Sequence, residues 1–190
     1  MLDLEKQKLH FANHVATFSD YGNIKILDFK NPDSNEYRIR FLFEEDYYRL
    51  HISGDLGELT ACNYRNMCYD KFYNDFAKTD NWGYFWEKVE AHSRPLEVFD
   101  VDDAKEDLLK WFDENDVEFY DDDERSDIID EVFYDYDESR GGISHRAYSK
   151  LEEYDPDAYT WAYDLGKRTT CMLQLYLLAF KLAYDQLNNK

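Results

Sequence analysis

Tyr37-Arg38-Ile39-Arg40-Phe41-Leu42-Phe43 places a large apolar side chain at every second residue, from Tyr37 to Phe43. A period of two is that of a β-strand with one face buried. The same period continues in Tyr48-Arg49-Leu50-His51-Ile52, and Ser53-Gly54-Asp55-Leu56-Gly57-Glu58 then supplies a tight connection. Upstream, Ile24, Ile26 and Asp28 alternate with Lys25, Leu27 and Phe29, ahead of the turn-forming run Asn31-Pro32-Asp33-Ser34-Asn35. Glu58 to Asn63 adds a short last strand. Sequential strands on short links predict a four-stranded antiparallel meander.

Helical periods flank this sheet. Leu9, Ala12 and Ala16, with Leu2 and Val15 near the same face, predict an N-terminal helix. Met67 to Ala77 predicts another, and Asp80 is positioned to cap a helix holding Trp82, Phe85, Trp86 and Val89, ahead of a stop at Pro95. Helices follow over about Asp102 to Glu114 and Asp122 to Tyr134, Gly141 and Gly142 break the chain, and Ser144 caps a short helix reaching Tyr154. Trp161, Leu165, Thr169, Met172, Tyr176, Phe180, Ala183 and Leu187 recur at spacings of three and four. They predict one long terminal helix of about 42 Å at the usual rise. The expected fold is α+β, with a sheet region over 1–96 and an acidic helical region over 97–190 packed on it as one compact unit.

Charge is the most informative feature. The 190 residues hold 22 Lys and Arg against 42 Asp and Glu, a net charge of −20. Residues 97–139 carry 20 of those acids and 3 bases. Aromatic residues make up 18% of the chain, which excludes disorder throughout. No run of about 18 uncharged apolar residues occurs, which excludes an apolar membrane span. Nonspecific binding to a nucleic-acid backbone needs Lys and Arg to displace counterions, so direct nucleic-acid binding is not expected and partners should be basic. Met1 to His10 is too charged for a signal peptide, and Cys62, Cys68 and Cys171 fit no zinc or disulfide framework. Reduced, partly buried thiols and a cytoplasmic protein are expected.

The acidic window admits two readings. Asp121, Asp122, Asp123 and Glu124 open a predicted helix, where acids offset the helix dipole, and the remainder is a solvated face. The sharper reading is a surface shaped for a basic groove. Carboxylates on successive helical turns lie about 5–6 Å apart on one face and would occupy sites meant for phosphates. Asp116, Glu118, Asp121, Asp122, Asp123, Glu124, Asp127, Asp130 and Glu131 are the residues assigned to it. Trp111, Phe112, Phe119, Tyr120, Phe133, Tyr134 and Tyr136 would support or flank it.

Other chemistry is poorly matched. An EF-hand loop counted from Asp113 fails where Glu118 takes the Gly position. His10 and His14 are four apart, a spacing that can hold one metal, but Phe11 stands where a zinc protease has Glu. Asp28, Asp33 and Glu36 surround a turn, as in Mg²⁺-dependent nucleases, yet Arg38 stands where Lys is expected, and Arg is never a general base at ordinary pH. Ser144 and His145 are adjacent and point apart on a helix. No catalytic, cofactor or metal residue is assigned, and no cofactor is expected.

The stretches Asn23 to Phe29, Tyr37 to Phe41, Leu50 to Glu58 and Asn81 to Lys88 resemble small proteins of phages and mobile elements of low-GC Gram-positive bacteria. Some members of that group are anti-CRISPR proteins that inhibit type II-A Cas9. The resemblance covers residues 20–92 and rests on turns and packing aromatics, so it transfers no functional residue. It implies a setting of host–phage conflict in a bacterial cytoplasm. Cas9 holds nucleic acid in a positively charged channel and reads its PAM with Arg. The leading expectation is a non-enzymatic Cas9 inhibitor that mimics DNA with its acidic surface. A metal-dependent nuclease, or an activator of one, acting on guide RNA is the first alternative. An acidic scaffold protein with no such target is the second.

Overall fold

A computed structural model of the chain describes residues 3–139 and 142–188. In chain order the strands are β1 (Val15–Asp20), β2 (Ile24–Lys30), β3 (Ile39–Glu44), β4 (Arg49–Gly54), β5 (Leu59–Cys62), β6 (Val89–His92), β7 (Glu97–Phe99) and β8 (Lys167–Thr169). The helices are α1 (Leu4–Lys8), α2 (Tyr69–Phe72), α3 (Trp82–Trp86), α4 (Val101–Glu114), α5 (Asp122–Phe133), α6 (His145–Leu151) and α7 (Met172–Asn188). The class is α+β. Two compact units divide the chain: Met1–Leu96 with Cys171–Lys190, and Glu97–Thr170.

The first, the sheet unit, is a six-stranded antiparallel meander in the order β1-β2-β3-β4-β5-β6. Ile39, Phe41 and Phe43 of β3 point to its core face, beside Leu27 and Phe29 of β2 and Leu50 and Ile52 of β4. On β2 the buried face is thus the Leu27 and Phe29 set, while Ile24 and Ile26 stay half-buried. Helix α7 lies on the core face, where Phe180 meets Phe41, Phe43 and Phe72 edge-on at ring distances of 5.1, 5.8 and 4.9 Å. Tyr176 is buried beneath it and donates its hydroxyl to the Leu56 carbonyl at 3.1 Å. Burial pushes that phenol up to about 12.

Four sequence expectations change here. The sheet has six strands, not four. The N-terminal helix ends at Lys8, a 3-10 turn follows over Leu9–Phe11, and Val15–Asp20 is an edge strand. Ala16 is the one buried side chain of that strand, and a small residue fits a strand or a helix equally well. Val89 leaves α3 and opens β6, whose residues are exposed or half-buried and so carry no hydrophobic period. The segment read as one helix over Met67 to Ala77 is a 3-10 turn (Tyr64–Met67), α2 and a π turn (Tyr73–Ala77).

The second, the acidic unit, packs α4, α5 and α6 with the β7–β8 ribbon. Asp100, Asp121 and Ser144 cap the three helices, accepting from the backbone N–H of Asp103, Glu124 and Ala147 at 2.9, 2.9 and 3.2 Å. Its core gathers Ala104, Leu108, Phe112, Ile128, Val132 and Leu151. The long terminal helix is shorter than its apolar stripe, and the last segment leaves the acidic helical region altogether. Leu165 and Trp161 belong to the acidic core, where Trp161 stacks on Trp111 at 4.4 Å, and Met172 onward belongs to the sheet unit. Gly166 causes the break. Its φ is +73°, and its N–H donates to Asp107 at 2.9 Å instead of continuing a helix. Cys171, at φ +59°, makes a second break just before α7. Leu2 and Gly141 lie outside the described residues, and no described helix is long and apolar enough to cross a membrane.

Candidate functional site

The acidic residues separate into those the fold employs and those it leaves unpaired. Asp121 caps α5, and Glu124 reaches back to accept from the Tyr120 N–H at 2.6 Å, in the manner of a capping box. Asp116 sits just past α4 with φ +49°, and the Val117 N–H closes on the Phe112 carbonyl at 3.1 Å. That is a Schellman termination with Asp116 in its left-handed position, which Asp tolerates better than most residues. Glu131 accepts from Arg146 at 3.1 Å and lies 3.9 Å from Lys150, while Asp130 lies 3.9 Å from Lys105. The Asp122 side chain lies outside what the structure describes.

Glu118, Asp123 and Asp127 are exposed and make no side-chain hydrogen bond or ion pair among the described residues, and the same holds for the Asp116 carboxylate. Asp123 and Asp127 are one turn apart on α5, with Glu131 a further turn along the same face. Asp123, Glu124, Asp127 and Glu131 rim a shallow open depression whose lining also includes Ile128, Lys150 and Tyr154. Burial pushes the Tyr154 phenol up, and Glu124, Glu153 and Glu131 add to the rise. The hydrogen bond to Glu153 raises the Lys150 ammonium, with the nearby carboxylates adding to it, so both groups keep their protons across neutral pH.

The aromatic residues of this region have divided roles. Phe112 and Phe133 are buried, while Trp111, Phe119 and Tyr136 pack against the core. Tyr120 and Tyr134 are 94% and 82% exposed, which leaves two aromatic rings standing among carboxylates in solvent. Tyrosine is enriched at protein interfaces because one ring supplies large contact area at little entropic cost.

The other sequence candidates disperse. Asp28 is bound through both oxygens by Arg40, at 2.7 and 2.9 Å, and Asp33 and Glu36 lie exposed in the following loop. His10 stacks on Tyr37 at 4.6 Å, while His14 is buried against Phe11 and Phe29, so the two imidazoles do not share a helix face. Among the described residues no three His, Cys, Asp or Glu side chains group to hold a metal ion. One polar chain went unread in the sequence. On the sheet face opposite the helices, Glu44, His51 and Thr60 link across three strands, with His51 Nε2 3.0 Å from Glu44 and Nδ1 3.2 Å from the Thr60 hydroxyl. Register across β3, β4 and β5 makes that contact, so sequence spacing alone does not display it.

No family model, curated protein or solved structure matches the chain.

Proposed function

We propose that the protein is a stoichiometric, non-enzymatic inhibitor that meets a basic nucleic-acid-binding protein through the α5 face of its acidic unit and excludes nucleic acid from it. Cas9 with its guide RNA is the target named, on the resemblance of residues 20–92. The observation that carries the reading is a set of unpaired carboxylates, Glu118, Asp123 and Asp127, beside the free ring of Tyr120. A folded unit gains nothing from leaving like charges next to one another, since they repel and reduce stability. A cationic groove would repay that repulsion on contact. Successive carboxylates along α5 stand in for phosphates, and Tyr120 and Tyr134 give the contact its apolar area.

A cleavage reaction with purified type II-A Cas9 and guide, into which the protein is titrated, tests this directly. The expected result is blocked target cleavage that saturates near one equivalent, weakens as salt is raised, and leaves the guide intact. Shortened guide RNA would move the protein to the nuclease class. Unaffected cleavage by a matched Cas9 would remove that target and leave the acidic surface as solvation alone.

A further inference from the structure

The face of the sheet that α7 leaves uncovered carries a groove of about 430 Å³ across β2, β3 and β4. Its floor holds a fixed arginine. Asp28 and Arg40 are direct cross-strand neighbours, and the carboxylate grips Nε and Nη2 of the guanidinium at 2.7 and 2.9 Å. The remaining N–H groups of that fork point away from Asp28, and the Arg40 side chain is 53% exposed. One step outward on the same face stand Lys30 on β2 and Arg38 just before β3, both exposed and both lining the groove. Neither side chain makes a hydrogen bond or ion pair among the described residues. Ser53, opposite Arg40 on β4, adds a hydroxyl. Gly54 lets its backbone approach that of Arg38 closely, since a Cβ there would strike the Arg38 carbonyl.

The arrangement is unusual for this chain. It has almost two acids for every base, yet three cations share one sheet face with Asp28 already committed to one of them. Glu58, the other carboxylate of the lining, belongs to the segment entering β5. Like charges on neighbouring positions of a sheet face cost stability, and carboxylates were available to neutralise them. An anion between Lys30, Arg38 and Arg40 removes the cost.

We propose that this groove binds a phosphate group, with Lys30 and Arg38 as its charge partners. The outward N–H groups of Arg40 and the Ser53 hydroxyl are its directional donors. A planar guanidinium held in place by Asp28 is preorganised for a tetrahedral oxyanion, and ammonium adds an adaptable point charge. The phosphate can come from a small phosphate ester or from a single-stranded nucleic acid. The groove is in the sheet unit and shares no residue with the acidic surface proposed above, so the two proposals are tested separately.

The test is a titration of the full chain at low salt with inorganic pyrophosphate and, separately, with a short oligoribonucleotide. Backbone amide shifts at residues 28–30, 38–40 and 53–54 are the readout. Saturable shifts are expected, with apparent affinity reduced at least about tenfold in the double variant Lys30→Gln/Arg38→Gln. Both positions are exposed, so that variant keeps its fold, which an unchanged thermal midpoint would verify. Response to pyrophosphate assigns a small phosphate ligand, and response to the oligonucleotide alone assigns a backbone phosphate. No saturable shift with either probe, or equal shifts in the double variant, would overturn the proposal.

Discussion

The sheet unit carries 17 acids and 14 bases, and the acidic unit 25 acids and 8 bases. Nearly the whole negative excess therefore sits in one of two separately packed cores. The sheet unit is nearly balanced, and many of its charges pair with one another, though not Lys30 and Arg38. Lys25 gathers Glu45 at 3.2 Å with Asp20 and Asp70 at 3.9 Å, and Asp28 holds Arg40. In the acidic unit every base among the described residues is paired, but acids outnumber bases about three to one. Caps, the grip of Asp107 on Arg168 at 2.8 and 2.9 Å, and pairs such as Asp113 with Arg125 and Glu97 with Lys167 occupy many of its carboxylates, and Glu118, Asp123 and Asp127 are among those left unpaired. Two kinds of acid result: those that cap a helix or pair with a base, and those that stand unpaired in solvent.

Substitutions should expose this contrast. The largest effect belongs to the sheet core. Phe180→Ala removes a fully buried ring at the centre of the aromatic cluster and should cost about 4 kcal/mol. Hydrogen exchange of the β3 amides would register the loss. Next, Gly166→Ala should cost about 3 kcal/mol, because a Cβ at φ +73° meets the Asp100 carbonyl, the Tyr136 hydroxyl and the Ala104 methyl. Here the loss of protection should appear in α4 and at β7–β8.

A smaller effect follows from Asp107→Asn. Burial pushes that carboxyl up, but the bidentate hydrogen bonds from Arg168 and the Gly166 N–H outweigh it and hold its pKa below the usual value. The site is partly exposed, so the loss should be about 1 kcal/mol, read by urea denaturation.

Acid should distinguish the units as well. His14 is buried, and desolvation lowers its pKa below 6.5, although its hydrogen bond to the Tyr37 carbonyl opposes the shift. The unfolded chain then binds the proton first. Stability from this group is complete above pH 6.5 and declines as the pH falls from there toward the folded value. A ring titration by NMR should place the His14 midpoint below 6.5, and a midpoint above it would contradict the burial argument. The smallest effect is expected from Glu118→Lys/Asp123→Lys/Asp127→Lys, which should move stability by no more than about 0.5 kcal/mol per site. A collapse of this variant on thermal melting would mean that those acids serve the fold.

Much of this architecture is legible in the chain, and its losses have physical causes. Strong alternation displays β3 and β4, and caps at Asp121 and Ser144 display α5 and α6. The edge strands β1 and β6 are hidden because they bury almost nothing. The stripe from Trp161 to Leu187 misleads because its apolar residues serve two cores in succession, and periodicity carries no mark of which core a residue enters. Within the acidic window, sequence shows the charge and the caps. It does not show that Arg125 reaches Asp113 at 2.7 Å or that Arg146 reaches Glu131, since those pairs depend on how helices cross. The groove at Lys30, Arg38 and Arg40 was equally hidden. Its cations alternate with apolar residues like any solvent-facing row, and only strand register brings them together.

In the proposed function, unpaired carboxylates, not the fold as a whole, compete with nucleic acid. Displacement of labelled target DNA from the Cas9–guide complex tests it most directly, with the protein and its Glu118→Lys/Asp123→Lys/Asp127→Lys variant compared at low and high salt. The unaltered protein is expected to displace DNA at low salt and to weaken at high salt, while the equally stable variant should fail to displace it. Equal displacement by the two proteins would contradict it.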